Sequence, residues 1–134
     1  MEDLKEKINF INIELETLKK IFHSNSNIDK ETYILNLSDI SQNDLEYAFN
    51  KIKTSPLKYF PSIFEIRKIA LAKEARIVLK FLQKVQEQII NNNIEFKHNR
   101  IKNLLKENGG WDSFKKRISN FNEEEFINLY SSVS

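Results

Sequence analysis

Side chains that could support catalysis or metal binding are few in this sequence and poorly spaced for either task. His23 and His98 are the only histidines and there is no cysteine, so a paired metal-ligand motif and a thiol nucleophile are missing. Gly109-Gly110 is followed by Trp111 rather than by a Gly-Lys-Ser/Thr run, so it is not a phosphate-binding loop. The acidic run at residues 123–125 fits the first turn of a helix, where the helix dipole favours negative charge. We therefore expect a protein that is not an enzyme and that uses no metal or cofactor.

Positive charge is concentrated in the middle of the chain. Residues 51–120 contain 16 lysines and arginines against 6 acids, whereas residues 1–50 contain 5 lysines against 10 acids. A basic centre of this kind is typical of a surface for nucleic acid or for an acidic partner. The alternative is that these side chains only form the solvated face that a surface helix needs. The candidate nucleic-acid-binding residues are Lys73, Arg76, Lys80 and Lys84 on the longest expected helix, and Arg100, Lys102, Lys106, Lys115, Lys116 and Arg117 beyond it.

Two aromatic positions are candidates for contact with a partner protein. Tyr59 and Phe60 precede Pro61 between two expected helices, and Trp111, the single tryptophan, directly follows a glycine pair. Large aromatic side chains that fill a partner's pocket dominate the energy of many interfaces. A structural alternative stays open, because Phe60 can staple a helix start and Trp111 can close a small core. The predicted partner-binding residues are Tyr59, Phe60 and Trp111, and a purely structural role is the alternative for Phe60 and Trp111.

The elements that would position these residues are all helices. Apolar residues recur at steps of three and four, and no segment shows the convincing alternation of a strand. Ser62 and Glu65 form the sharpest start signal, a capping box that should open the longest helix. Leu71, Val78 and Leu82 lie on one side of that helix, opposite its four basic residues. The expected helices span residues 3–23, 30–40, 42 to the Ser55-Pro56 break, 63–90, 99–107, 111–118 and 123–131.

Length and composition fit a single helical domain. The chain has 134 residues with 2 glycines and 2 prolines, too few for the many tight turns of a sandwich or barrel. We predict an all-α fold, a compact bundle of about seven helices with one long central helix and a small C-terminal helical lobe. The three asparagines at residues 91–93 should end the long helix. They also mark a possible subdivision into an N-terminal bundle, 1–91, and a C-terminal lobe, 92–134, that docks on the long helix. The first helix should bury Ile8, Ile11, Leu15, Leu18 and Phe22.

Residues 28–70 resemble part of a known family. A short helix with an aromatic residue, a second helix with Ala48-Phe49, and the run Phe60-Pro61-Ser62-x-x-Glu65-Ile66 follow one another. This order is similar to the N-terminal helical domain of the phage replicative-helicase loader/inhibitor family. The resemblance passes through Ile28, Tyr33, Leu45, Phe49, Ile52, Phe60, Pro61, Glu65 and Ile66. Further along, Gly109-Gly110-Trp111-x-x-Phe114 and Phe126-x-x-x-Tyr130 look like helical proteins of phage replication regions.

The resemblance implies a phage-type DNA replication accessory protein. It would be non-enzymatic and would bind a hexameric DnaB-type replicative helicase, which it loads or modulates. Two alternatives stay open from the residues alone. One is a small basic helical module that binds nucleic acid directly, weakly and without sequence preference; the other is an inhibitor that occupies a partner's surface. The first residues have no signal-peptide character and no apolar run is long enough to cross a membrane, so we expect a cytoplasmic protein with no membrane partner.

Overall fold

The described part of the chain is helical. A computed structural model of the protein describes residues 3–22, 28–88 and 98–134, and no strand occurs in these ranges. The predicted all-α class is confirmed, with one long helix and a small C-terminal helical lobe. The elements of the described ranges are α1 (Leu4–Phe22), α2 (Lys30–Leu37), α3 (Gln42–Lys53), α4 (Ile63–Gln88), α5 (Asn99–Glu107), α6 (Trp111–Phe114), a 3-10 turn (Ile118–Asn120) and α7 (Glu123–Ser131).

In the described ranges, the helix bounds differ from the predicted ones by more than one residue in two places. α2 ends at Leu37 rather than at Ile40, and Ile40 is buried in the turn that follows. The segment predicted as one helix over residues 111–118 divides into α6 and the 3-10 turn. The predicted end of α4 at residues 91–93 lies outside the described residues, as does the possible subdivision there.

Contacts along the backbone divide the chain into two compact units, Met1–Ala70 and Leu71–Ser134. The division falls within α4, so residues 63–70 of this helix belong to the first unit and residues 71–88 to the second. The first unit packs α1 against α2 and α3. Its fully buried side chains on α1 and α3 are Ile11, Leu15, Leu18, Leu45, Ala48, Phe49 and Ile52.

The first turn of α1 departs from the predicted apolar stripe. Ile8 was expected inside but is exposed, whereas Lys7 is buried. The Lys7 Nζ atom donates a hydrogen bond to the backbone oxygen of Ser38 at 3.0 Å, just after α2. Ile8 lies at the edge of the stripe defined by Ile11 and Leu15, where the long Lys7 side chain can cover the core with its methylene groups. Of the other expected stripe residues, Phe22 is only half-buried.

A buried arginine fixes the start of α4 in the first unit. Arg67 donates from Nη1 to Asp39 Oδ1 at 2.6 Å and from Nη2 to Asp39 Oδ2 at 2.9 Å. The same Nη1 also donates to the backbone oxygen of Asn36 at 2.6 Å. A bidentate guanidinium–carboxylate pair sets both distance and orientation. It therefore ties the first turns of α4 to the end of α2.

The second unit closes around the later part of α4. Leu71, Val78 and Leu82 are buried, as the apolar stripe predicts. The C-terminal helices contribute Leu104, Leu105, Trp111, Phe114, Ile118, Phe126, Ile127 and Tyr130 to this core. Gly109, at φ 88°, follows the end of α5 in the left-handed region that glycine favours, and the backbone N–H of Gly110 donates to Leu105 O at 2.7 Å. The expected docking of the C-terminal helices on α4 is confirmed by hydrogen bonds from Arg100 and Tyr130 to Glu74.

The predicted capping box at the start of α4 is formed. The backbone N–H of Glu65 donates to Ser62 Oγ at 3.1 Å, and the backbone N–H of Ser62 approaches Glu65 Oε1 at 3.5 Å. Both groups would otherwise lack an intrahelical partner, because the first N–H groups of a helix have none. Ser62 therefore marks where the longest helix begins.

Replacing Ser62 with alanine should lower the free energy of unfolding by about 1 kcal/mol, because the Glu65 N–H loses its acceptor. Guanidinium denaturation followed by circular dichroism measures the change. The exposed Ser119 provides the control, and Ser119→Ala should stay within about 0.5 kcal/mol of the parent. Equal midpoints for the parent and Ser62→Ala would contradict a stabilising cap.

Candidate functional site

The segment before α4 is an aromatic loop, defined here as Tyr59, Phe60 and Pro61. The Phe60 ring packs edge-on against Phe22 at 6.4 Å and against Tyr33 at 5.8 Å between centroids. The Tyr33 hydroxyl donates to the backbone oxygen of Pro61 at 2.8 Å. Phe60 therefore serves as an anchor of the loop, which is the structural alternative that the sequence left open for it.

Tyr59 is the side chain that the aromatic loop presents to solvent. It is 56% exposed, although its neighbours Phe60 and Pro61 are partly or fully buried. An exposed tyrosine on a backbone fixed by packing and a hydrogen bond loses little freedom when it binds a partner. Of the two aromatic positions predicted for partner contact, this one has the required accessibility.

Phe64, in the first turn of α4, is a further exposed aromatic that the sequence analysis did not single out. Phe64 lies seven residues before Leu71, so it would be buried if the stripe through Leu71 and Val78 continued to the start of α4. In the first unit, however, α4 buries Ile66, Arg67 and Ala70, which lie on another side of the helix. Phe64 is thus left in solvent next to the aromatic loop in sequence.

Trp111 has the structural role that the sequence offered as its alternative, as part of a small core. Its side chain is only 8% exposed, and it opens α6 inside the core of the second unit together with the fully buried Phe114. A tryptophan at this position stabilises the fold of its own unit and is not presented to a partner. We therefore remove Trp111 from the candidate binding surface.

The basic residues of α4 lie where the sequence predicts them. Lys73, Arg76, Lys80 and Lys84 are all exposed, on the side of the helix opposite Leu82. Arg76 Nε pairs with Glu123 Oε1 at 2.5 Å, with both side chains about half exposed. Such a solvent-exposed pair contributes little energy and is readily exchanged.

Two apolar side chains accompany these cations, and the sequence analysis missed both. Ile77 is 61% exposed and Phe81 is 48% exposed. They lie one helical turn apart, outside the Leu71–Val78–Leu82 stripe. Two apolar residues on the expected solvated side of the helix were the sequence signal that could have identified them. We call Lys73, Arg76, Ile77, Lys80, Phe81 and Lys84 the outer face of α4.

Some of the basic residues beyond α4 bond to other groups of the second unit, and others are exposed on its surface. Arg100 is buried and so does not belong to an accessible basic surface. Arg117 donates to the backbone oxygen of Asn108 at 3.1 Å and lies over the Phe114 ring at 5.6 Å. Lys115 Nζ lies 3.5 Å from an Asp112 carboxylate oxygen. Lys102, Lys106 and Lys116 are exposed.

Glu74 explains why Arg100 is buried. Glu74 Oε2 accepts hydrogen bonds from Arg100 Nη1 at 2.6 Å and from the Tyr130 hydroxyl at 2.8 Å. Arg100 Nε also donates to the backbone oxygen of Val133 at 3.3 Å. His98 Nε2 lies 3.6 Å from Glu74 Oε1. This polar cluster joins α4, α5 and α7 within the second unit, and its members bond to one another.

Tyr130 is held in its neutral form by this environment. Burial raises the pKa of its hydroxyl, and the hydrogen bond to the Glu74 carboxylate raises the pKa further. The nearby Arg100 guanidinium acts in the opposite direction but more weakly. Tyr130 therefore acts as a hydrogen-bond donor that secures α7 to α4.

Within the described ranges, the acidic and histidine side chains form no group that could hold a metal ion. The acids at residues 123–125 lie exposed in the first turn of α7, which Asn122 caps by accepting from the Glu125 N–H at 2.7 Å. His23 lies outside the described residues. No helix in the described part of the chain is long and apolar enough to cross a membrane. Comparisons with models of known families, with curated proteins and with solved structures find no match.

The pKa of Tyr130 gives a testable pH dependence. Because its pKa is higher in the folded than in the unfolded chain, its contribution is fully present below about pH 10 and is lost as the pH rises. Tyr130→Phe should cost about 1 kcal/mol at pH 8 through the lost hydrogen bond. Between pH 8 and 11 the parent should lose about 1.4 kcal/mol more than this variant, so the difference closes or reverses.

Fluorescence of Trp111 is a suitable probe of this change, because the single tryptophan is buried in the same unit. Urea denaturation at pH 8, 9, 10 and 11 gives the two stability curves. Curves that remain parallel across this range would contradict a raised Tyr130 pKa.

Proposed function

We propose that the protein is a non-enzymatic accessory factor of phage-type DNA replication that binds a hexameric DnaB-type helicase and loads or modulates it. It would act in the cytoplasm of the host cell. The proposal is supported by the resemblance of residues 28–70 to the helicase loader/inhibitor family. The observation that carries it is the aromatic loop, where Phe60 is anchored and Tyr59 is exposed directly before the capped start of α4.

The aromatic loop has the properties of a binding hot spot. Tyrosine is enriched at positions that dominate interface energy, because it offers a large contact area and a hydroxyl group with few rotatable bonds. The contacts of Phe60 and Pro61 already restrict the loop, so ordering it on binding costs little entropy. Tyr59 is therefore the residue we expect to enter a pocket of the helicase.

A binding protein can regulate a helicase only by preferring one of its states. The sequence has no nucleotide-binding loop, so the free energy for opening or holding the hexamer would come from differential affinity. A preference of about tenfold for one nucleotide state of the helicase corresponds to about 1.4 kcal/mol. Binding should accordingly depend on whether the helicase carries ATP, ADP or no nucleotide.

Two other functions are distinguishable by experiment. An inhibitor that occupies the partner's surface would use the same aromatic loop but would suppress the helicase's loading on single-stranded DNA instead of promoting it. A nucleic-acid-binding module is favoured by one specific observation, the exposed outer face of α4. Because that face does not include Tyr59, substitutions there separate the two kinds of binding.

Substituting Tyr59 with alanine should weaken helicase binding by about 30-fold, equivalent to about 2 kcal/mol, because a large aromatic contact is lost. Isothermal titration calorimetry with the hexameric helicase of the same phage or host, in each nucleotide state, measures this. Tyr47→Ala is the matched control, because Tyr47 is also 56% exposed in the first unit but belongs to α3. It should bind like the parent.

Thermal melts of both variants must match the parent, which separates lost binding from lost folding. Equal weakening by Tyr47→Ala and Tyr59→Ala would contradict a specific role of the aromatic loop. No complex at tens of micromolar in any nucleotide state would overturn the helicase-binding function itself.

A further inference from the structure

The outer face of α4 carries three lysines in a line, and its Arg76 is paired with Glu123. Over residues 71–85 the only acid is Glu74, and its carboxylate is bound to Arg100 and Tyr130. Lys73, Lys80 and Lys84 lie within an arc of about 40° on the helix and span about 16 Å along its axis. All three are exposed, so they present a narrow cationic line to solvent.

The apolar part of the outer face lies along one side of this line. Ile77 lies about 20° and Phe81 about 60° from Lys84 around the helix, on the same side of the line, and both are exposed and one turn apart. Phe81 is therefore placed to contact the uncharged part of a ligand whose charged groups bind the lysines. A cationic line with an aromatic ring beside it combines a site for phosphates with a platform for a base.

We propose that the outer face of α4 binds single-stranded nucleic acid, with Lys73, Lys80 and Lys84 on the phosphates and Phe81 stacking on an unpaired base. A duplex also offers phosphates, but its bases are stacked on one another and are not available to a side chain beside the backbone. The aromatic ring next to the lysine line therefore favours a single strand. DNA and RNA share this chemistry.

The other partners that a basic face attracts fit less well. An anionic membrane surface binds a helix that buries a wide apolar side, whereas the wide apolar side of α4 packs into the core of the second unit. A protein interface is depleted in lysine and has an apolar centre. The outer face instead has lysines along its middle and only two apolar side chains, one of them at its edge.

This inference goes beyond the proposed function and does not depend on it. Helicase binding is assigned to Tyr59 in the first unit, and strand binding to residues of the second unit. Each assay uses a different ligand and a different set of variants, so either result can fail alone.

Fluorescence anisotropy of the full chain with labelled 20-nucleotide oligo-dT, oligo-U and a 20-base-pair duplex tests the proposal. Single strands should bind with a Kd of about 10 μM at 50 mM NaCl, and log Kd should change with log salt with a slope of about 2 for three phosphate contacts. The double variant Lys80→Ala/Lys84→Ala should reduce that slope by about 1.4. Phe81→Leu should weaken binding at least about fivefold with the slope unchanged.

The matched control is Lys102→Ala/Lys106→Ala, which removes two exposed lysines at the same spacing from α5 in the same unit. It should leave the salt slope near that of the parent. A control that weakens binding as much as the α4 variant would mean that net charge alone acts, and would overturn the site.

Three further results would overturn the proposal. One is duplex binding as tight as single-strand binding. Another is binding to phosphatidylserine vesicles without binding to either oligonucleotide. The third is no detectable oligonucleotide binding at 50 mM NaCl by a parent protein whose circular dichroism spectrum is helical.

Discussion

A guanidinium group that leaves water must be paired with a carboxylate and hydrogen-bonded, and each unit of this protein meets that constraint once, at α4. In the first unit Arg67 of α4 is buried against Asp39 and the backbone of Asn36. In the second unit Glu74 of α4 receives the buried Arg100 and also Tyr130. Removing either carboxylate would leave a buried cation without its counter-charge, which is far more costly than losing a surface ion pair. The placement of α4 in each unit rests on these pairs.

The elements themselves could be predicted from the sequence because they depend on local chemistry. Ser41, Ser62 and Asn122 accept hydrogen bonds from the N–H groups of the helices that follow them, as their side chains and positions suggest. The spacing of Leu71 and Val78 follows the period of the helix, which makes the stripe recognisable in the sequence. The same spacing places both side chains on one side of α4, and that side is buried. Neither property requires knowledge of which elements meet.

The residues that the sequence misplaced are those whose surroundings come from distant parts of the chain. Arg100 looks like a surface cation, and its burial is explained only by Glu74, which is 26 positions away. Ile8 fits the apolar stripe of α1 but is exposed, whereas Lys7 is buried and bonds to the backbone of Ser38, 31 positions away. Helical periodicity predicts that a helix has a buried side, but which borderline residues are covered depends on the shape of its neighbours. The structure accordingly excludes Arg100 and Trp111 from the candidate site because they are buried, and it adds Ile77 and Phe81 because they are exposed.

The distribution of arginine and lysine follows from the different chemistry of their charged groups. The chain has 4 arginines, and each makes a directed contact: the buried Arg67 with Asp39, the buried Arg100 with Glu74, Arg76 with Glu123, and Arg117 with Asn108 and the Phe114 ring. A planar guanidinium with several fixed donors suits such geometry, whereas a lysine ammonium is a strongly hydrated point charge on a flexible stem. The lysines of the outer face accordingly remain in solvent, as the proposed strand binding requires. Counting arginines and lysines together therefore overestimates the accessible basic surface of this protein, because Arg67 and Arg100 are buried.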